Sequence, residues 1–368
     1  RSGASADSRI QRFMADADSC GLSASLLDCA DIAGSGTYLY RRSIILLSVS
    51  DVQTKSSARH IAKGISILDS DGFADCAEKV GHGDNTVFIS CSEIGKFFTG
   101  IADKGIYGYA DFLKKFSGWA CFSIVQSDSG RLRLDGTFTT DKGVEDFVNV
   151  FKGYSPSRST VASVLPSYTI FFAGMPLDDV SAYIASADAF ADGAGRLGKI
   201  ESVRSQLQKS SGISPVQWAS TLGVKEVAAA FFKVGSSVEK VLLMKMGNKD
   251  MTIVFRDADP SSGKDAAPKV CRYSYGGFAA SVFGPFFNAT EETCFTYMDD
   301  WIIVGSEAAV SEYVEGRALE YPLSGYVADA SIQPDFMAGN KYFVSYLSVK
   351  DGKDVLGNLP ERSEKGFL

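Results

Sequence analysis

Short apolar runs rich in β-branched and aromatic residues alternate along this chain with stretches of helical periodicity. Residues 37–40 and 43–49 flank Arg41-Arg42 and read as two strands or one long bent strand. Residues 51–68 then carry Val52, Ala58, Ile61, Ala62 and Ile65 at helical spacing. The run 85–90 (NTVFIS) predicts a strand, and 92–102 predicts a helix capped by Ser92 with Ile94, Phe97, Phe98 and Ile101 on one face. Residues 119–125 and 131–139 form a hairpin across QSDSG, whose Asp and Gly suit the turn dihedrals. Residues 141–151 close this part as a helix with Val144, Phe147, Val148 and Phe151 inward.

The same order then recurs. Leu165-Pro166 opens the strand 168–173 (YTIFFA), and 176–189 follows as a helix with Val180, Tyr183 and Ile184 apolar. A helical insert at 197–209 precedes a hairpin of 226–234 and 238–246, continued by 251–256. A third round has a helix at 277–287, a hairpin of 293–298 and 301–305, and a helix at 306–318, before a last strand at 341–349. Val144-Glu145-Asp146-Phe147-Val148 after one hairpin parallels Val310-Ser311-Glu312-Tyr313-Val314 after another. The expected fold is α+β: degenerate repeats of strand–helix–hairpin–helix units, with antiparallel sheets and helices packed on one face. One sheet is expected from the hairpins at 119–139, 226–246 and 293–305. The polar stretch GYSPSRSTVASVL places a boundary between an N-terminal α+β domain, 1–153, and a C-terminal one, 154–368, with two further repeat-like units.

Length agrees with more than one domain, since 368 residues exceed the usual size of about 150 per domain. Hydrophobic residues at 45% and charged residues at 22% exclude disorder and coiled coil. A net charge of −7 gives no electrostatic footprint for a phosphate backbone, so no nucleic-acid partner is expected. The longest aliphatic run, 44–47, falls far short of the ~20 apolar residues of a membrane helix. The chain starts at Arg1 with a polar RSGASADS lead, which suggests that a targeting segment has been removed. Seven cysteines include no C-x-x-C pair, and most sit in apolar runs such as WACFSI, so they read as small buried hydrophobes.

The sharpest chemical pattern is Gly193-Ala194-Gly195-Arg196-Leu197-Gly198-Lys199, which matches G-x-G-x-x-G. A phosphate loop must leave a strand and enter a helix, whereas this one follows a helical stretch, and Ile200 stands where a magnesium-binding Ser or Thr belongs. It reads as a helix–helix connector, and no cofactor is expected. His60 and His82 are the two histidines; His82 lies in GHGDN beside Asp84, a place where a hydrolytic Ser–His–Asp arrangement can be posed. The carboxylate pairs Asp178-Asp179, Glu291-Glu292 and Asp299-Asp300 sit at helix starts and turns, where caps and turns use them. Asp257, Asp259 and Asp265 alternate in an oxygen-rich loop and are the candidate metal ligands, although the glycine falls one place late and no closing Glu follows. Trp119 and Trp301 begin hairpin strands at comparable places and are expected in sheet packing. Tyr107, Tyr109, Tyr273 and Tyr275 read as exposed aromatics of a kind able to line a groove.

The strand opening LP-x-x-T at 165–169, the stretch ISPVQWASTLGVKEVAAAFF at 213–232 and the hairpin ending L-x-L-x-G-x-F at 132–138 resemble a family of exported or lipid-anchored cell-envelope proteins of gut Bacteroidota with no assigned function. The resemblance covers about 85–349 and implies an extracytoplasmic lipoprotein, periplasmic or on the cell surface. It transfers no functional residues and implies membrane association only through a removed N-terminal anchor. With so sparse a set of catalytic residue types, the expected function is a non-catalytic binding or scaffolding protein with a protein or glycan partner. The alternative is a hydrolase with its site near His82 or in a carboxylate cleft.

Overall fold

The computed structural model describes residues 11–12, 15–16, 19, 23–27, 44–48, 51–80, 85–101, 114–126, 132–140, 145–248, 269–329 and 338–348. The chain divides into two compact units, Arg1–Phe88 with Trp119–Lys142, and Ile89–Gly118 with Gly143–Leu368. It is a mixed α+β protein whose sheets are antiparallel.

In the first unit, β1 (Ser23–Leu27) and β2 (Ile44–Ser48) pair as an antiparallel ribbon. Helix α1 (Asp51–Ala62) follows, shorter than the periodicity over 51–68 predicts. Gly64, at φ +69°, ends it by donating its N–H to the Ile61 carbonyl, as glycine does after a helix C-terminus. The helical face was also misread: Thr54 is buried, whereas Val52 is 73% exposed. Helix α2 (Asp71–Val80) is absent from the sequence reading because its opening Asp-Gly reads as a turn. It covers one face of a three-stranded sheet ordered β3 (Thr86–Ser90), β4 (Trp119–Gln126), β5 (Leu132–Thr139).

Three kinds of contact hold α2 there. Cys76 is disulfide-bonded to Cys121 on β4, which corrects the reading of both as free buried hydrophobes. The Phe73 ring lies 5.0 Å from those of Phe88 and Trp119. The Trp119 indole N–H donates to Ser70 Oγ at 3.0 Å, and the Thr139 hydroxyl donates to the Gly72 carbonyl. On the other face Gly136 lies opposite Phe122, and a Cβ at Gly136 would run into the Phe122 ring and the Cys121 carbonyl.

The second unit starts with α3 (Cys91–Ile101), one residue earlier than predicted, because Ser90 and not Ser92 accepts the Glu93 N–H. Residues Phe147–Gly153 form a 3₁₀-helix instead of the end of an α-helix. Then follow β6 (Ser157–Arg158), β7 (Thr169–Pro176), α4 (Val180–Gly193), α5 (Leu197–Ser211), α6 (Pro215–Leu222), β8 (Val224–Val234) and β9 (Ser237–Met246). After these come β10 (Cys271–Arg272), α7 (Phe278–Phe283), β11 (Cys294–Met298), β12 (Trp301–Gly305), α8 (Glu307–Val314), α9 (Leu323–Asp329), β13 (Asn340–Lys341) and β14 (Val344–Leu347).

The main sheet has the order β10-β11-β12-β9-β8-β7-β14. It unites the hairpins 226–246 and 293–305, but the expected third member, 119–139, belongs to the three-stranded sheet. Helices cover both of its faces, not one. Val227, Ala229, Leu242, Met244, Ile302 and Val304 pack with Tyr183 and Ile184 of α4, Trp218 and Leu222 of α6, and Phe278 of α7. Ala228, Ala230, Phe232, Val241, Leu243 and Ile303 pack with Tyr313 of α8, and Leu323 and Val327 of α9. The physical signal lies in VAAAFF, VLLM and WIIV, which do not alternate with polar residues and so have no solvated side. Three consecutive alanines on β8 also leave room for side chains from the covering layers.

Local signals held where they were strongest. Asp179 caps α4 by accepting the Ser181 and Ala182 N–H groups at 2.8 and 3.1 Å. Asp299 and Asp300 have φ of 48° and 66°, the paired positive values of a type I′ hairpin turn between β11 and β12. Thr296, on β11, has a buried hydroxyl with no hydrogen-bond partner among the described residues. Thr296→Val keeps the branched shape and removes that desolvated group, so it is expected to stabilise the second unit by about 1 kcal/mol in urea unfolding. A destabilised variant would reveal a bond to the hydroxyl.

Candidate functional site

The buried charges of the second unit are its chemically distinctive feature. Glu226 on β8 is 1% exposed and faces the strand partner Lys245 on β9. The Ser159 hydroxyl donates to its Oε1 at 2.5 Å, and the Thr160 N–H donates to Oε2 at 2.9 Å. Lys245 Nζ donates to Thr160 Oγ1 at 2.9 Å. Burial pushes the Glu226 carboxyl up, against the pull of these hydrogen bonds and of the Lys245 charge.

Lys240, on the opposite face of the sheet, donates from Nζ to the Phe286 carbonyl and to Asn288 Oδ1, both at 2.6 Å. The ammonium also lies 4.4 Å from the centroid of the Phe286 ring and 5.5 Å from that of Phe231. Its backbone N–H bonds Thr290 Oγ1, and its carbonyl accepts the Thr290 N–H, so the segment after α7 is stitched to β9. Desolvation pushes the amine down to about 8, opposed by the nearby Glu292 carboxylate.

Arg204 on α5 is 5% exposed. Its guanidinium grips Asp188 of α4 with two bonds of 2.9 Å, donates to Glu201 at 3.1 Å and reaches the Ser281 carbonyl of α7 at 3.1 Å. Each of the three charges therefore joins segments distant in sequence. Their donors and acceptors converge on the protein's own framework and not on a shared space where a substrate would sit.

The residues singled out from sequence distribute differently. Asp257, Asp259 and Asp265, together with His82, Tyr107, Tyr109 and the strand at 251–256, lie outside the described residues. Among the described residues no group of three or more His, Cys, Asp or Glu side chains is placed to hold a metal. His60 is exposed on α1, and its carbonyl accepts the Ile65 N–H at 3.0 Å. The glycine motif joins α4 to α5, with Arg196 stacked over Phe190 at 5.5 Å. Asp178 accepts the Ser155 N–H, and Glu292 accepts those of Gly277 and Ala289. Tyr273 and Tyr275 are each 5% exposed and pack in the core near Trp218 and Phe295, which corrects their assignment to an exposed groove. Trp301 is buried in the sheet core, as expected. Cys91 is a buried free thiol whose pKa burial raises, while Cys271 and Cys294 are free and half-buried.

Glu226, Lys240 and Arg204 escaped the sequence reading because no motif marks them. The one signal for Glu226 and Lys240 is a charged residue set within an apolar strand, as in VKEVAAA and VEKVLLM, while Arg204 lies among the polar residues of α5 and carries none. Fold and site together define a two-unit antiparallel α+β protein whose buried charges are hydrogen-bonded to its own framework. No family model, curated protein or solved structure matches the chain.

Proposed function

We propose that this chain is a non-catalytic binding or scaffolding protein of the cell envelope. The observation that carries this reading is the engagement of Glu226, Lys240 and Arg204 by framework partners: each charge is used to hold segments together. A catalytic acid, base or nucleophile instead needs a face left open to substrate. The Cys76–Cys121 disulfide supports an extracytoplasmic location, because such bonds persist in oxidising compartments. Kinship with exported Bacteroidota envelope proteins of unassigned function, and a partner that is a protein or a glycan, belong to the same proposal. So does descent from repeated strand–helix–hairpin–helix units.

No helix among the described residues is long and apolar enough to cross a membrane. The test is a screen of the purified chain against chromogenic esters, glycosides, phosphate esters and peptides. No turnover above the uncatalysed rate is expected. Turnover that disappears in His82→Ala overturns the reading in favour of a hydrolase.

A further inference from the structure

Five large hydrophobic residues among those described are more than half exposed, and four of them, Val52, Ile65, Ile67 and Leu68, lie in α1 and the connection that follows it. Ile65, Ile67 and Leu68 are 55%, 52% and 64% exposed within four consecutive positions. Exposure of single aliphatic residues is ordinary, but a cluster of this kind marks a contact surface.

The cluster sits on a fixed turn. The Ile65 N–H donates to the His60 carbonyl at 3.0 Å, and the Ser70 N–H to the Ile67 carbonyl at 3.2 Å. Between them is a capping box, in which Ser66 Oγ accepts the Leu68 N–H at 3.1 Å and Asp69 Oδ2 accepts the Ser66 N–H at 3.0 Å. The N–H groups of Ile65, Ser66, Leu68, Asp69 and Ser70 are thereby paired within the turn, which lowers the cost of bringing the aliphatic side chains into an apolar medium.

Charge accompanies the tip. Lys55, Arg59 and Lys63 are exposed and spaced by four residues, which aligns them along α1 toward the connection. Lys55 is paired with Asp51 at 2.5 Å, while Arg59 and Lys63 have no ion pair among the described residues. The acidic Asp69 is engaged in the capping box.

We propose that residues 65–68 are an interfacial tip that docks on a phospholipid surface, with Ile65, Ile67 and Leu68 among the outer acyl segments and Arg59 and Lys63 at the phosphates. A protein partner fits less well, since the centres of protein interfaces favour aromatic residues and are depleted in Lys, whereas this tip has aliphatic side chains flanked by Arg and Lys. The hydrocarbon–phosphate boundary matches that combination. The inference goes beyond the scaffolding role and holds for an enzyme or a non-enzyme alike.

Co-sedimentation of the full chain with unilamellar vesicles tests it. Binding is expected to be weak and reversible, stronger on phosphatidylglycerol–phosphatidylcholine mixtures than on phosphatidylcholine alone, and reduced by salt. The triple variant Ile65→Ser, Ile67→Ser, Leu68→Ser should lose binding by about tenfold or more, because three aliphatic side chains no longer leave water. Being exposed, these positions should leave the melting profile unchanged. Arg59→Gln with Lys63→Gln should weaken binding chiefly on the anionic vesicles. Absence of wild-type binding, or equal binding by the triple variant, overturns the proposal. So does loss in that variant of a lipid-independent self-association, which would make the tip a contact between copies of the chain.

Discussion

Reducing the Cys76–Cys121 bond is expected to destabilise the first unit by about 4 kcal/mol, with little effect on the second. The magnitude follows from the 45 residues that separate the two cysteines, since freeing a loop of that size restores chain entropy to the unfolded state on that scale. The bond matters more here because the buried residues described in this unit are few: Phe73, Cys76, Ala120 and Cys121 among the hydrophobic ones, with Thr54 and Thr139. Hydrogen exchange with and without reductant separates the units. Amides of β4 and β5 should exchange faster on reduction, while those of β8 and β9 keep their protection. Cys76→Ala with Cys121→Ala should reproduce the effect. Unchanged exchange in β4 and β5 would show that α2 and the sheet hold together without the bond.

A second large effect is expected on the alkaline side of neutrality. Burial lowers Lys240 from its ordinary value of 10.5 to about 8, so between these pH values the unfolded chain holds a proton that the folded chain has released. Stability rises with pH wherever the unfolded state binds more protons, so this group opposes folding fully below pH 8 and ceases to do so above 10.5. The full span corresponds to roughly 3 kcal/mol, of which about 2 kcal/mol should be recovered between about pH 7 and pH 9.5. The buried tyrosines Tyr154, Tyr183 and Tyr313 act in the other direction at higher pH. Their pKa values are raised by burial, so the unfolded chain loses those protons first and stability falls above the ordinary tyrosine value of 10. Urea unfolding of the second unit should therefore show a stability maximum between these two effects. Lys240→Met should flatten the rising limb and leave the falling one. A rising limb of equal size in the variant would assign it to another group.

The hairpins were legible because their signals are local. A turn such as Asp299-Asp300 needs positive φ at two neighbouring residues, and the flanking YM and WIIV runs show where the strands lie. The face of α4 was legible for the same reason: Val180, Tyr183 and Ile184 repeat at helical spacing and are all buried. Helix α2 was not, since Asp71-Gly72 resembles a turn and its stability rests on Cys121, Trp119 and Thr139, distant in sequence. Helix α9 was not legible either, since seven residues are too few to show a period, and its Leu323 and Val327 pack into the sheet core.

Sequence alone determined the antiparallel hairpins of the main sheet, the use of Asp179 at the start of α4, and the α+β class, because each depends on dihedral preference, helix-end electrostatics or side-chain period within a few residues. Tertiary structure decided which hairpins share a sheet, that both faces of that sheet are covered, and which cysteines pair. It also decided that Glu226, Lys240 and Arg204 are buried, a choice set by which distant segment supplies their hydrogen bonds. Desolvating a charge is tolerated only when such partners arrive, and the partners of Glu226 lie 66 and 67 residues away along the chain. No local pattern encodes a pairing at that range.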